Sequence, residues 1–185
     1  MKLPLIIFAI FFIFSSCKKQ SQLSSIFECD TVNLKNLNEY SDFKQNFKIT
    51  IPNNWKTELY YNEFQSEIFT ADTTKQLSET YVLDASFNFG NLNFNTDFHK
   101  KTDSIIAISN LEKTNSGNFS FKSNPAYWYL VNGTKKGFNY HQFNLIVKLS
   151  DETYFTAYTE VYGDSNINER ICESIAIFDK IKFLQ

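Results

Sequence analysis

The chain is 185 residues long, with a formal net charge of −2, 43% hydrophobic residues, 20 phenylalanines and 10 tyrosines. That apolar and aromatic content excludes a disordered chain and fits a folded, aromatic-rich domain. The cations are scattered lysines with a single arginine, Arg170, so there is no basic stripe of the kind that binds nucleic acid.

At the amino end, Lys2 precedes twelve uninterrupted apolar residues, Leu3 to Phe14, and Ser15-Ser16-Cys17 follows. This is the layout of a secretory signal peptide. At about 1.5 Å per residue the apolar run reaches only ~18 Å, well short of the ~30 Å hydrocarbon core, so it is a poor permanent span and is expected to be removed. Phe14-Ser15-Ser16-Cys17 resembles the lipobox of bacterial lipoproteins, with Phe14 standing where Leu, Val or Ile is usual. The resemblance implies cleavage before Cys17, a diacylglyceryl group on its thiol and acylation of the new amino end. Two or three acyl chains hold a protein on a membrane far better than one. The alternative is an ordinary signal peptide with an incidental cysteine. Residues 1–16 are thus read as signal peptide and residues 17–39 as lipidated cysteine and flexible tether, because Gln20-Ser21-Gln22 and Ser24-Ser25 have little apolar content. Lys18-Lys19-Gln20-Ser21-Gln22 does not resemble the acidic surface-display signal of some lipoproteins, which favours the periplasmic side. The mature chain of 169 residues (185 − 16) suits one domain, expected over residues 40–185.

Phe47, Ile49 and Ile51 alternate with polar residues and stop at Pro52-Asn53-Asn54, a strand ending in a turn. Trp55 begins the next strand, and Leu59, Tyr61, Ile68 and Thr70 fit two short strands around Asn62-Glu63. The clearest strand is Tyr81 to Phe89. Its odd-numbered positions share one face while Asp84, Ser86 and Asn88 occupy the other, so the sheet is expected to have one wet or partly covered face. From Asn95 to Glu112 the period becomes helical, with Phe98, Ile105 and Ile108 in one stripe and Asn95 as a cap. Phe119 and Phe121 alternate again, Pro125 opens the run Ala126 to Val131, and Asn132-Gly133 reads as a hairpin turn. Both faces of Tyr127 to Val131 are apolar, which places that strand inside the sheet.

For the hairpin from Phe138 to Tyr162, a loop of Asp151-Glu152-Thr153 sets Phe143 opposite Val161, Leu145 opposite Thr159 and Val147 opposite Ala157, an apolar match along one face. Tyr140, Tyr154, Tyr158 and Tyr162 project from the other. Ile167, Ile171, Ile175 and Phe178 mark a last helix, with Asn166 and Glu169 spaced as a capping box, and Ile181 to Leu184 forms a terminal strand. The order strands, helix, strands, helix, strand predicts an α+β fold, an antiparallel β-sheet with helices packed on it.

Phe47-Lys48-Ile49-Thr50-Ile51-Pro52-Asn53-Asn54-Trp55 resembles the opening of PsbP-like domains, a group that contains the extrinsic photosystem II protein and bacterial lipoprotein relatives. The later helix, the Asn124-Pro125-Ala126 strand start, the long hairpin and the final helix leading to Ile181-Lys182-Phe183 follow the same pattern over about residues 40–185. The resemblance implies the fold shared with the Mog family, an antiparallel sheet sandwiched by helices. No family site residue transfers with it.

Enzyme chemistry finds little support, and none is expected. His99 falls on the polar side of the predicted helix and His141 near the end of a strand, where a lone histidine is more often a surface or hydrogen-bonded residue than a catalyst. There is no nucleophile elbow, phosphate-binding loop or zinc spacing, so no cofactor or metal is expected. Asp30, Asp42, Asp72 and Asp103 are scattered and could meet at a calcium ion only through tertiary assembly. Two functional readings remain. One is a non-catalytic binding or adaptor lipoprotein meeting an envelope protein or glycan, held to the membrane by acylated Cys17. The other is a carbohydrate- or lipid-handling module that uses Tyr140, Tyr154, Tyr158 and Tyr162 as a stacking platform, unless that row packs beneath a helix. Cys29 and Cys172 form an even pair that an oxidising periplasm would join, the alternative being two free thiols.

Overall fold

The computed structural model describes residues 20–184; the expected signal peptide and Cys17 lie outside the described residues. In chain order the elements are α1 (Gln22–Ile26), β1 (Leu37–Ser41), β2 (Phe47–Pro52), β3 (Lys56–Tyr61), β4 (Gln65–Ala71), β5 (Tyr81–Phe89), α2 (Thr96–Ile108), β6 (Leu111–Phe121), β7 (Asn124–Lys135), β8 (Phe138–Lys148), β9 (Thr153–Tyr162), α3 (Ile167–Phe178) and β10 (Lys182–Phe183). Among the described residues the strands form a seven-stranded sheet in the order β3-β4-β5-β9-β8-β7-β6 and a three-stranded sheet in the order β1-β2-β10. The pairings are antiparallel, both between hairpin neighbours and in β5–β9 and β2–β10, which are far apart in sequence.

The core lies between one face of the large sheet and a layer made of the small sheet, α3 and α1. Alternation in β2 turns Phe47, Ile49 and Ile51 inward, all buried, and the Phe47 ring meets Phe155 edge-on at 5.1 Å. The α3 stripe buries Ile171, Ile175 and Phe178, with Phe178 stacked against Phe143 at 6.2 Å. Leu83, Ala85, Phe87, Leu145, Val147 and Ala157 complete the apolar floor. On the opposite face α2 lies over β6 and β7, where Phe98 and His99 pack against Tyr127 at 5.6 and 4.9 Å. The result is an α+β fold with helices on both faces of the large antiparallel sheet.

Residues 20–39 are not a free tether. Ser21 caps α1 by accepting the Ser24 N–H at 3.0 Å, Leu23 is buried, and Phe27 meets Trp128 and Phe143 edge-on. A disulfide joins Cys29 to Cys172 with Cα atoms 5.4 Å apart. Closing so long a loop contributes about 4–5 kcal/mol in the chain-entropy model. Leu23, Phe27 and the bridge supply the burial that the polar composition concealed, so residues 20–39 pack against the sheet and α3.

Other expectations shift for identifiable reasons. Asn132-Gly133 is not a turn. A Cβ on Gly133 would lie 2.7 Å from Leu111 Cδ2 and 3.1 Å from the Asn110 carbonyl, so this glycine serves close strand approach. The turn falls at Lys136-Gly137, whose φ values of 54° and 80° are those of a two-residue hairpin. In the β8–β9 hairpin Phe143 opposes Thr159, Leu145 opposes Ala157 and Val147 opposes Phe155. That is a shift of two residues from the expected register, which leaves every side chain on its expected face. The loop is Ser150–Glu152 because Ser150 Oγ accepts the Glu152 N–H at 3.1 Å and bonds Thr153 Oγ1 at 2.7 Å.

Helix α2 stops at Ile108, since Leu111 and Glu112 are taken by β6. It buries Thr102 and Ile106 and leaves Ile105 and Ile108 exposed; the sheet side therefore follows Phe98, Thr102 and Ile106. His99 faces the sheet with them. The capping box at α3 does not form: Asn166 is left-handed with φ 50° and makes no side-chain cap bond. Arg170, buried in the first turns, instead donates to the carbonyls of Ser78, Thr80, Tyr162, Gly163 and Ser165, fixing the loops around the helix start.

Candidate functional site

The face of the large sheet turned away from α3 is polar along its middle. Antiparallel pairing sets Phe69, Asp84, Tyr158, Asn144 and Tyr129 side by side across five strands, and Glu67, Ser86 and Thr156 in the adjacent row. These side chains share a face because alternation along each strand puts the neighbours of Leu83, Ala85 and Phe87 on the reverse side.

Asp84, Ser86 and Asn144 are only 5%, 5% and 8% exposed. Burial, reinforced by the Glu67 carboxyl beside it, pushes the Asp84 carboxyl up to about 9, against the opposing hydrogen bond from Tyr158. Burial thus favours the protonated form of Asp84, whose carboxyl is hydrogen-bonded to Glu67. Ser86 Oγ and Asn144 Nδ2 have no hydrogen-bond partner among the described protein atoms. Each such group costs about 1–3 kcal/mol when buried unpaired, so two of them beside a buried carboxyl form an uncommon arrangement.

Next to this strip lies a charged cluster. Glu160 accepts from Lys135 Nζ at 2.5 Å, from the Tyr140 hydroxyl at 2.7 Å and from the Tyr162 hydroxyl at 2.9 Å. Burial works against the Glu160 carboxylate, but these three donors outweigh it and hold its pKa below the ordinary value. Lys135 also sits 4.7 Å over the Tyr140 ring. A groove of about 360 Å³ opens here, lined by Leu111, Gln142, Tyr158, Glu160 and Lys135 and rimmed by Ser109 at the end of α2.

The four tyrosines of the expected platform do not act alike. Helix α3 is on the other face, so the row is not beneath it. Tyr140 and Tyr162 are nevertheless 1% and 2% exposed, packed edge to face at 5.2 Å with both hydroxyls spent on Glu160. Tyr154 and Tyr158 are half-buried. A continuous four-ring stacking surface is therefore not formed; two rings border a hydrogen-bonding strip.

Comparison with known proteins rests on structure, since no protein-family model and no curated protein matches the chain. The cyanobacterial PsbP protein CyanoP from Synechocystis sp. PCC 6803 superimposes with a TM-score of 0.53 at 11% identity, covering 84% of this chain and 96% of that one. The protein Mog1 gives 0.51 at 8% identity, covering 81% and 97%. A Pseudomonas aeruginosa protein of unknown function gives 0.50 at 7% identity, covering 78% and 95%. The chain has the PsbP/Mog fold. At these identities the likeness concerns the fold, and the site must be argued from its own residues.

Within this PsbP/Mog fold the other singled-out residues are dispersed. His141 bonds Asp164 at 3.2 Å, and His99 packs on Tyr127. Asp42 is a backbone cap, accepting the Asn46 and Phe47 N–H groups at 2.6 and 2.8 Å. Asp72 caps Thr74, and Asp103 pairs with Lys113. Asp30 lies exposed beside Cys29. Among the described residues no three His, Cys, Asp or Glu side chains converge as metal ligands. Asp84, Ser86, Asn144 and Glu160 were not singled out from the sequence. The available signal was an aspartate at the centre of the most regular strand, where a solvated face would explain it equally well.

Proposed function

We propose that the chain is a bacterial cell-envelope lipoprotein, anchored through acylated Cys17 and facing the periplasm, whose domain is a non-catalytic binding module that engages its ligand with the polar sheet face. The observation that carries the binding assignment is the strip of Asp84, Ser86 Oγ and Asn144 Nδ2, buried hydrogen-bonding groups of which two lack partners. Such groups gain most from a ligand that supplies matching uncharged donors and acceptors, as a glycan hydroxyl or a peptide backbone of an envelope protein does. The signal layout before Cys17 supports export, and the Cys29–Cys172 bridge is the kind of bond that persists in oxidising compartments. The carbohydrate reading retains two rings, Tyr154 and Tyr158, beside the strip.

The test has two parts. Metabolic labelling with a clickable fatty acid should mark the wild-type chain and leave Cys17→Ser unmarked; labelling of the variant removes the anchor. A photo-reactive residue placed at Gln142, in the groove, should crosslink in intact cells to one envelope species. The same probe at Ile105, on the outer side of α2, should not. Equal patterns from the two positions would contradict binding at the polar face.

A further inference from the structure

The end of the large sheet at which β5 finishes carries aromatic side chains that neither the core nor the polar strip uses. Phe43, Tyr61, Phe64 and Phe89 are 56%, 56%, 65% and 43% exposed. They stand together: Phe43 stacks on Tyr61 with centroids 3.8 Å apart, the Phe89 N–H donates to the Phe64 carbonyl at 2.9 Å, and Lys44 lies 5.2 Å over the Phe89 ring. Leu184, 45% exposed, adjoins them, its N–H donating to the Asn46 carbonyl at 2.8 Å. Single exposed apolar residues are ordinary, but a grouped patch marks an interaction surface.

The amino end leaves the domain at this same end of the sheet. Register carries the row Gln65, Asn88, Tyr154 and Lys148 across the sheet, and the β6–β7 turn after Phe121 closes the same edge. Helix α1 lies against Phe119 to Lys122, and Phe183, next to Leu184, reaches Phe121 at 6.4 Å. Gln20 is fixed there by donating to the Ser24 and Cys29 carbonyls at 3.1 and 2.7 Å. Cys17 is three residues upstream, a reach of at most about 10 Å in extended chain. A lipid on Cys17 thus holds the β6–β7 corner of this end close to the bilayer surface, and the aromatic patch lies at the β3–β5 side of the same end, about 20 Å across the sheet.

We infer that Phe43, Tyr61, Phe64 and Phe89 form a membrane-contacting rim that sits in the headgroup region, so that the domain stands end-on and its polar face points along the membrane instead of into it. This rests on the reading of Cys17 as the anchor. Tyr61 suits the membrane–water interface because it combines apolar area with a hydroxyl, and the three Phe rings supply apolar area for the headgroup–acyl boundary. Glu63 and Glu152 share the edge with Lys44 and Lys148, so the contact is aromatic and not a salt-sensitive attraction to anionic lipid.

The experiment uses the full-length acylated chain in vesicles of phosphatidylethanolamine and phosphatidylglycerol whose acyl chains carry bromine, a quencher of tryptophan. Phe64→Trp probes the rim, and Phe138→Trp, 39% exposed in the wild type at the opposite end of the sheet, is the control. Quenching of the Phe64→Trp emission at least about twofold greater than that of Phe138→Trp, unchanged at high salt, is the expected result. Equal quenching in vesicle-bound protein overturns the rim while leaving the anchor in place; failure of the wild-type chain to acquire lipid at Cys17 overturns both. If exchanging Phe43, Phe64 and Phe89 for Ser converts a dimer to a monomer in detergent without changing quenching at Tyr61→Trp, the rim is a self-association surface and the inference fails.

Discussion

The two sides of β5 are nearly equally buried and chemically opposite. Leu83, Ala85 and Phe87 are 0%, 1% and 0% exposed on the α3 side, while Asp84, Ser86 and Asn88 are 5%, 5% and 9% exposed on the other. The first set is closed by apolar packing and gains from every contact. The second contains a buried carboxyl and a serine hydroxyl without a partner, and Asn144 beside them adds another unpaired group. Burial therefore does not by itself identify a core: the α3 side holds Thr159 Oγ1, a buried hydroxyl without a partner, amid apolar packing, whereas the other side sets two unpaired groups beside a buried carboxyl. Surfaces of that kind are where function is commonly retained against stability.

The largest difference between the faces should appear on truncation. Phe87→Ala removes a fully buried ring from the apolar side and should lower the free energy of unfolding by about 3–5 kcal/mol in a denaturant titration. A loss below about 1 kcal/mol would show that the α3 side is not the stabilising one.

A second difference is in pH dependence. The folded domain keeps the Asp84 proton up to about pH 9, whereas an unfolded aspartate releases it near 3.9. Between those values the native state holds more protons, so stability is complete at the acid end and falls as pH rises, by up to about 1.4 kcal/mol per pH unit. Glu67, Tyr158 and Glu160 all face the same group and shape the curve. Asp84→Asn should flatten the slope between pH 5 and 8, and an unchanged slope in that variant would place the proton elsewhere.

The apolar side was legible in the sequence and the polar side only partly so. Phe47-Ile49-Ile51, Tyr81 to Phe89 and Ile171-Ile175-Phe178 show unambiguous periods, and the structure forms β2, β5 and α3 from them. Periodicity also assigned Asp84 and Ser86 to their face, but not their burial, which depends on Tyr158, Glu67 and neighbouring strands far away in sequence. Gly133 misled because a close strand contact and a turn select the same residue. Residues 20–39 misled because one leucine, one phenylalanine and a disulfide fix a segment whose average composition is polar. The tyrosine row was placed on the correct face, yet only packing could divide it into Tyr140 and Tyr162, which serve Glu160, and Tyr154 and Tyr158, which remain partly open.

The smallest expected change in stability tests the central claim, that the polar face is retained for binding. Replacing both unpartnered groups, in Ser86→Ala with Asn144→Leu, removes two buried polar atoms and should raise the unfolding free energy by about 1 kcal/mol. In the same variant, crosslinking from a photo-reactive residue at Gln142 to the proposed ligand should fall severalfold. A more stable domain that binds less is the predicted result; crosslinking at the wild-type level would contradict the assignment of this face.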